Sequence, residues 1–120
     1  MAMATAGVSL SLRDSSQTRL EHEAQRLAAL FESARAQSRA SGVAVRWHTT
    51  AQGFRFDGLP PQALPEHWLG ADTAVRGHST LLLGPEPIIG RQDIALSSTE
   101  QPGRVLHVIT DGLRPFSVQP

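Results

Sequence analysis

The sequence predicts an α+β fold in which a long N-terminal helix packs on an antiparallel β-sheet or a small β-sandwich. Residues 13–40 contain neither Pro nor Gly, and their apolar residues recur at alternating spacings of four and three, as on one face of a helix. After Gly42 the period changes to two, in short segments separated by Gly and Pro. A helix followed by a run of strands is the order typical of α+β folds.

The length and charge of the chain limit the class of protein to which it can belong. Its 120 residues suffice for one hydrophobic core but not for two ordinary domains, so residues 13–120 are predicted to form a single domain. Eleven acidic residues balance eleven Arg, and Lys is absent, so the chain lacks the broad basic field that attracts nucleic acid. The absence of Cys excludes disulfides, thiol catalysis and thiolate metal sites.

The helix is predicted to span about residues 14–41 and to end at Gly42, because only glycine enters the left-handed conformation without steric cost. Charged residues between the apolar positions are predicted to form a solvated face, namely Arg19, Glu23, Arg26, Glu32, Arg35 and Arg39. The face predicted to pack on the sheet consists of Leu20, Ala24, Leu27, Phe31 and Ala34.

Two strands are predicted directly after the helix. The segments "VAVRWH" at 43–48 and "GFRFDG" at 53–58 alternate apolar and polar residues, and the linker between them is short enough for an antiparallel hairpin. A Pro-rich irregular connection follows. Further strands are predicted at 74–76, 80–83, 93–98, 104–110 and 116–118. The segment at 104–110 is predicted to be a central strand because both of its faces are largely apolar.

The segment "LLLGPEPIIG" at 81–90 places two apolar runs around a rigid turn. Pro85 and Pro87 fix backbone dihedrals and remove two amide donors. A loop whose backbone is already restricted loses less conformational entropy when another protein binds it. This elbow is therefore a candidate docking surface, which comprises Pro85, Glu86, Pro87, Ile88 and Ile89. The alternative, that Leu83, Ile88 and Ile89 belong to the core, stays open at this point.

No catalytic, cofactor or metal site is predicted. The five His lack metal-ligand spacing, and "GHSTL" has Leu81 where a nucleophile elbow needs Gly. His107 is predicted to be a hydrogen-bonded strand histidine. Asp72 is a third candidate acid besides Asp57 and Asp111, both of which precede Gly and are predicted to bond their own backbone. These observations favour a binding or assembly role over an enzyme, with no small-molecule substrate expected.

Residues 20–120 resemble the H-class minor pseudopilins of bacterial type II secretion systems, the GspH/FimT family. The resemblance depends on the order of the helix, the strand at 53–56 and the elbow, and its matching residues include Glu23, Ala24, Arg26, Leu27, Leu30, Ala34, Gly84 and Pro85. It implies a pilin-like domain with a periplasmic head. Residues 1–12 would then be the end of a truncated helix that anchors the full-length protein in the inner membrane, the alternative being an added extension.

The resemblance implies a non-catalytic subunit that contacts other minor and major pseudopilins near the tip of the pseudopilus during protein export. An alternative is a minor pilin of a type IV pilus or competence system that binds DNA through a basic patch of Arg91, Arg104 and Arg114. The zero net charge argues against a nucleic-acid partner. A third class, a small ligand-binding or hydrolase domain, would require a site assembled from distant residues.

Overall fold

The computed structural model describes the backbone of residues 2–120 and the side chains of residues 17–120. One helix packs against two antiparallel sheets, so the predicted α+β class is confirmed and the arrangement is consistent with a pilin-like fold. The elements are α1 (Ala2–Ser41), β1 (Val45–Thr50), β2 (Gly53–Asp57), β3 (Thr73–Arg76), β4 (Thr80–Gly84), β5 (Gln92–Ser98), β6 (Gln101–Thr110) and β7 (Ser117–Gln119).

Helix α1 begins earlier than predicted, at Ala2 instead of about residue 14. Asp14 and the serines after it are good capping residues, but the segment before them holds no Pro and is rich in Ala, Leu and Met, which favour a helix. The prediction that residues 1–12 are the end of a membrane helix concerns side chains that lie outside the described residues. Within the part of the chain that is described, no helical segment has the length and apolarity that a membrane crossing needs.

The strands form one sheet in the order β2-β1-β4 and another in the order β3-β5-β6-β7. Strands β1 and β2 pair as the predicted antiparallel hairpin, with Trp47 opposite Phe56. Strand β6 lies between β5 and β7, which confirms that it is central. Val43, predicted to start the first strand, lies outside it and is 49% exposed, because its carbonyl instead accepts a hydrogen bond from Ser38 of the helix.

The predicted packing face of α1 is confirmed, since each of its five residues is at most 4% exposed. Phe31 lies at the centre of this face. Its ring centroid is 5.1 Å from that of Trp47 in β1, 6.5 Å from Phe56 in β2 and 4.8 Å from Phe116, which precedes β7. The two sheets therefore share one aromatic cluster, and a single helical residue joins them.

Replacing Phe31 by Ala is expected to lower the free energy of unfolding by about 3–5 kcal/mol, because the change removes a fully buried ring and leaves a cavity. The measurement is urea unfolding followed by tryptophan fluorescence. Gln25→Ala, on the exposed side of the same helix, is the control and should change stability by no more than about 0.5 kcal/mol. A loss below about 1 kcal/mol for Phe31→Ala would contradict this account of the core.

Candidate functional site

Two charged residues of α1 lie in the interior. Glu23 is 2% exposed and Arg35 is 3% exposed, so the prediction that both belong to a solvated face is wrong. They are twelve residues apart, which is about 18 Å along the helix axis. Each is the chain neighbour of an alanine of the packing face, and backbone groups of a distant loop hydrogen-bond to each charge.

Glu23 binds the irregular segment between β2 and β3. Its carboxylate accepts hydrogen bonds from the backbone N–H of Leu69 at 2.9 Å and of Gly70 at 3.2 Å, and from the Thr73 hydroxyl at 3.2 Å. Arg26 donates both to this carboxylate at 3.2 Å and to a backbone carbonyl of the same segment at 3.1 Å. The Pro-rich connection is therefore attached to the helix by a buried anion.

Arg35 binds the elbow and the turn after β6. Its guanidinium donates to the backbone carbonyls of Arg114 at 3.1 Å, Pro87 at 3.4 Å and Gly112 at 3.5 Å. It also donates to Glu32 at 3.1 Å, one turn earlier on the helix. One buried cation therefore fixes two loops relative to each other and to α1.

These two loops form a surface that we call the tip, made of residues 85–91 and 111–115. The backbone N–H of Ile89 donates to the carbonyl of Gly112 at 3.1 Å. Gly112 has φ +98, and a Cβ atom there would lie 2.6 Å from the backbone of Gly90, so only glycine allows the loops to approach this closely. Beneath them, Gly84 lies against Ser38 of the helix, where a Cβ atom would come within 2.6 Å of the hydroxyl.

The structure resolves the open alternative for the elbow residue by residue. Leu83 belongs to the core, since it is 0% exposed, and Ile89 is partly buried against the core. Ile88 is 65% exposed and cannot be a core residue. Leu113, on the adjoining loop, is 67% exposed, and no sequence pattern distinguished it. The other elbow residues are half-buried Pro85 and exposed Glu86 and Pro87.

The three arginines proposed as a basic patch do not come together. Arg104 lies six residues before the end of β6, about 20 Å along the strand from the tip, and pairs with Glu21 at 3.2 Å. Arg91 and Arg114 both lie in the tip and are exposed. The antiparallel pairing of β5 and β6 causes this separation, because it places the start of β5 beside the end of β6.

Several of the polar residues considered for chemistry make structural contacts instead. His107 Nδ1 lies 2.8 Å from an oxygen of Asp93, as expected for a hydrogen-bonded strand histidine. Asp57 pairs with His48 across the hairpin at 2.9 Å, so the prediction that it bonds its own turn is wrong. Asp111 does bond its own turn, accepting from the backbone N–H of residues 113 and 114.

Asp72 also has a structural partner, since it accepts a hydrogen bond from the Ser98 hydroxyl at 2.8 Å. Among the described residues, no three His, Asp or Glu side chains converge as metal ligands. A cleft of about 560 Å³ lies between the β1–β2 turn and the segment at 67–75, with Thr49, Gln52, His67 and Trp68 in its lining. Its lining contains no carboxylate, so the arrangement offers no acid–base pair.

No family model, curated protein or solved structure matches the chain.

Arg35→Met is expected to destabilise the protein by roughly 3 kcal/mol, because it leaves three loop carbonyls and Glu32 without their buried donor. The measurement is urea unfolding at neutral pH. Arg39→Met replaces an exposed arginine of the same helix and should change stability by no more than about 0.5 kcal/mol. Equal effects of the two substitutions would contradict a structural role for Arg35.

The turn after β6 is expected to give stability a dependence on acid pH. Backbone N–H groups of Arg114 and Leu113 donate to Asp111 and hold its pKa below the ordinary value of 3.8. A carboxyl whose pKa is lower in the folded state stabilises that state above the ordinary pKa, and the contribution disappears as the pH falls through the lowered value. Asp111→Ala should therefore lose less stability than the wild type between about pH 5 and about pH 2. The measurement is the free energy of unfolding of both proteins across this pH range. If it fell equally for Asp111→Ala and the wild type, the assignment of this pH dependence to Asp111 would be wrong.

Proposed function

We propose that the chain is the periplasmic head of an H-class minor pseudopilin, a non-catalytic assembly subunit of a type II secretion pseudopilus. Two independent features support the proposal. One is the order of helix, strand and elbow in the sequence, which resembles that family. The other is the architecture, in which a continuous helix carries an α+β head on its C-terminal part.

The length of α1 is the observation that carries the proposal. Its 40 residues span about 60 Å, close to the longest dimension of the molecule, 62 Å. The residues of the helix that the sheets bury extend from Leu20 to Ser38, which is about 27 Å. The helix therefore extends well beyond Leu20, its first described core residue, toward the N-terminus. This arrangement suits a subunit that uses one end of a helix for anchoring and filament packing and the other end to hold a head.

In this role the head acts by contact. Its partners would be other minor and major pseudopilins, and the full-length form would be held at the inner membrane by a membrane helix of which residues 1–12 would be the end. The described side chains suit such a role: the His–Asp pairs and buried ions hold strands and loops in place, and the exposed apolar groups of the tip remain available for contact.

The DNA-binding alternative loses its main support. It required Arg104 to join the tip arginines, and β6 holds that residue at the far end of the strand. The patch of three arginines on which that alternative depended is therefore not formed, and only Arg91 and Arg114 remain in the tip.

The experiment compares two classes of partner. The head should bind the head of at least one other minor pseudopilin of the same organism in isothermal titration calorimetry. It should show no salt-sensitive binding to duplex DNA at about 50 mM and about 200 mM salt. Binding to DNA that falls steeply with salt, together with no binding to any pseudopilin head, would overturn the proposal in favour of a DNA-binding pilin.

A further inference from the structure

We propose that the cleft beside β3 binds an extended, uncharged segment of a neighbouring subunit, which adds to the sheet as a strand next to β3. The inference rests on the proposed function, because it names the surface of the head and the kind of segment that such a subunit would use. Strand β3 is the first strand of the order β3-β5-β6-β7, so it has a strand on one side only.

The cleft lies along the open edge of β3. Thr73, Ala74 and Val75, three consecutive residues of this strand, all line it. Successive side chains of a strand point to opposite faces of the sheet, so a cleft that all three line lies at the edge of the strand. The opposite wall of the cleft is the β1–β2 turn, which contributes Thr50, Ala51 and neighbouring residues.

The register of β3 on β5 shows which backbone groups point into the cleft. The backbone N–H of Thr99 donates to the carbonyl of Asp72 at 2.8 Å, and the same register continues through Ala74 and Val75 without a shift. Bonded and non-bonded pairs alternate along an antiparallel ladder. Ala74 therefore bonds to β5, whereas Val75 directs both its N–H and its carbonyl away from β5.

These two groups of Val75 determine the kind of ligand. Among the residues that the structure describes, no hydrogen bond reaches either of them, although Val75 is half-buried. An N–H and a carbonyl on one strand residue are complementary to a residue of an added antiparallel strand, which accepts from the first and donates to the second. An extended polypeptide backbone presents an acceptor and a donor at that spacing.

Other strand edges of the head are protected, and β3 is not. Proteins protect exposed edges with short strands, Pro, bulges, charges or covering loops. Strand β7, the opposite edge of the same sheet, has three residues and lies between Pro115 and Pro120. The outer edge of β2 is covered, since the backbone N–H of Phe54 donates to the carbonyl of Glu66 at 2.9 Å. Strand β3 contains no Pro and no bulge, and its single charge, Arg76, is at its end.

The size and charge of the cleft limit the segment that it accepts. A residue in a packed sheet occupies about 160 Å³, from a strand spacing of about 4.8 Å, a sheet spacing of about 10 Å and a rise of about 3.4 Å. The cleft of about 560 Å³ therefore accommodates a segment of about three residues. Its lining contains no Asp, Glu, Lys or Arg. A charged side chain would lose hydration there without gaining a counter-ion, so an uncharged segment is favoured.

The first experiment measures the Kd of variants for the pseudopilin head that binds the wild type most tightly. Val75→Pro and Val75→Ala both remove the valine side chain, but only the first removes the free N–H, and a free strand edge tolerates Pro. Val75→Pro should bind about tenfold to a hundredfold more weakly than Val75→Ala, because a partner carbonyl loses its donor.

Leu82→Pro is the control at another edge. The backbone N–H of Thr49 donates to the carbonyl of Ser79, and the alternation from this pair directs the N–H of Leu82 away from β1. Leu82 does not line the cleft. Its replacement should therefore change Kd by less than about threefold. Urea unfolding of each variant establishes that it is folded.

The second experiment uses the wild-type chain and does not depend on the folding of a variant. Amide hydrogen exchange is measured by NMR in the free head and in its complex with the same pseudopilin head. Exchange at Val75 should slow by at least about tenfold in the complex, whereas exchange at Leu82 should not change. Hydrogen exchange of the partner, followed by mass spectrometry, should show protection in a segment with at least three consecutive uncharged residues.

The outcomes separate this inference from the proposed function. If the wild type binds no pseudopilin head, both fail. If it binds but exchange at Val75 is unchanged, or Val75→Pro binds as tightly as Val75→Ala, strand addition at β3 is wrong and the proposed function stands. Protection of a charged partner segment would contradict the composition assigned to it. Self-association of the head in analytical ultracentrifugation that Val75→Pro abolishes would show that a second copy occupies the cleft, which also overturns the inference.

Discussion

The fold depends on two charges that helix α1 holds in the interior. A buried ion is costly unless hydrogen bonds satisfy it, and here each ion has backbone partners of the right polarity. The Glu23 carboxylate is an acceptor and collects amide N–H groups, whereas the Arg35 guanidinium is a donor and collects carbonyls. Each fixes a connection that contains Pro and has no strand ladder to satisfy its backbone groups.

Apolar packing and buried charge contribute to the fold in different ways. Phe31 lies between the two charged residues on the helix and joins the sheets through Trp47 and Phe116, so the aromatic cluster sets where the sheets lie. Loop residues also pack on this core, since Trp68 lies 4.7 Å from Phe54 between ring centroids and Ile89 is partly buried against it, but apolar contact has no direction. Hydrogen bonds from Glu23 and Arg35 are directional and fix the loops on a framework that the core has already positioned.

The tip illustrates how this arrangement supports exposed loops. A loop whose apolar side chains are exposed must keep its shape without burying them. Ile88 and Leu113 contribute little to the core, because both are about two-thirds exposed. The shape of their loops comes from beneath, through Arg35 and the close contact at Gly112. The exposed residues of the tip and the residues that support it from beneath are therefore separate groups.

The sequence by itself determined the fold class, the helix face with Phe31 at its centre and the β1–β2 hairpin, because periodicity and turn residues are local properties of the chain. It also located the elbow. Tertiary structure alone decided that Glu23 and Arg35 are buried, since on a helix they resemble their exposed neighbours until distant loops close over them. The same closure joined the two loops of the tip through the hydrogen bond between Ile89 and Gly112. Contacts between residues far apart in the chain depend on how the strands pair, and no local pattern records that pairing.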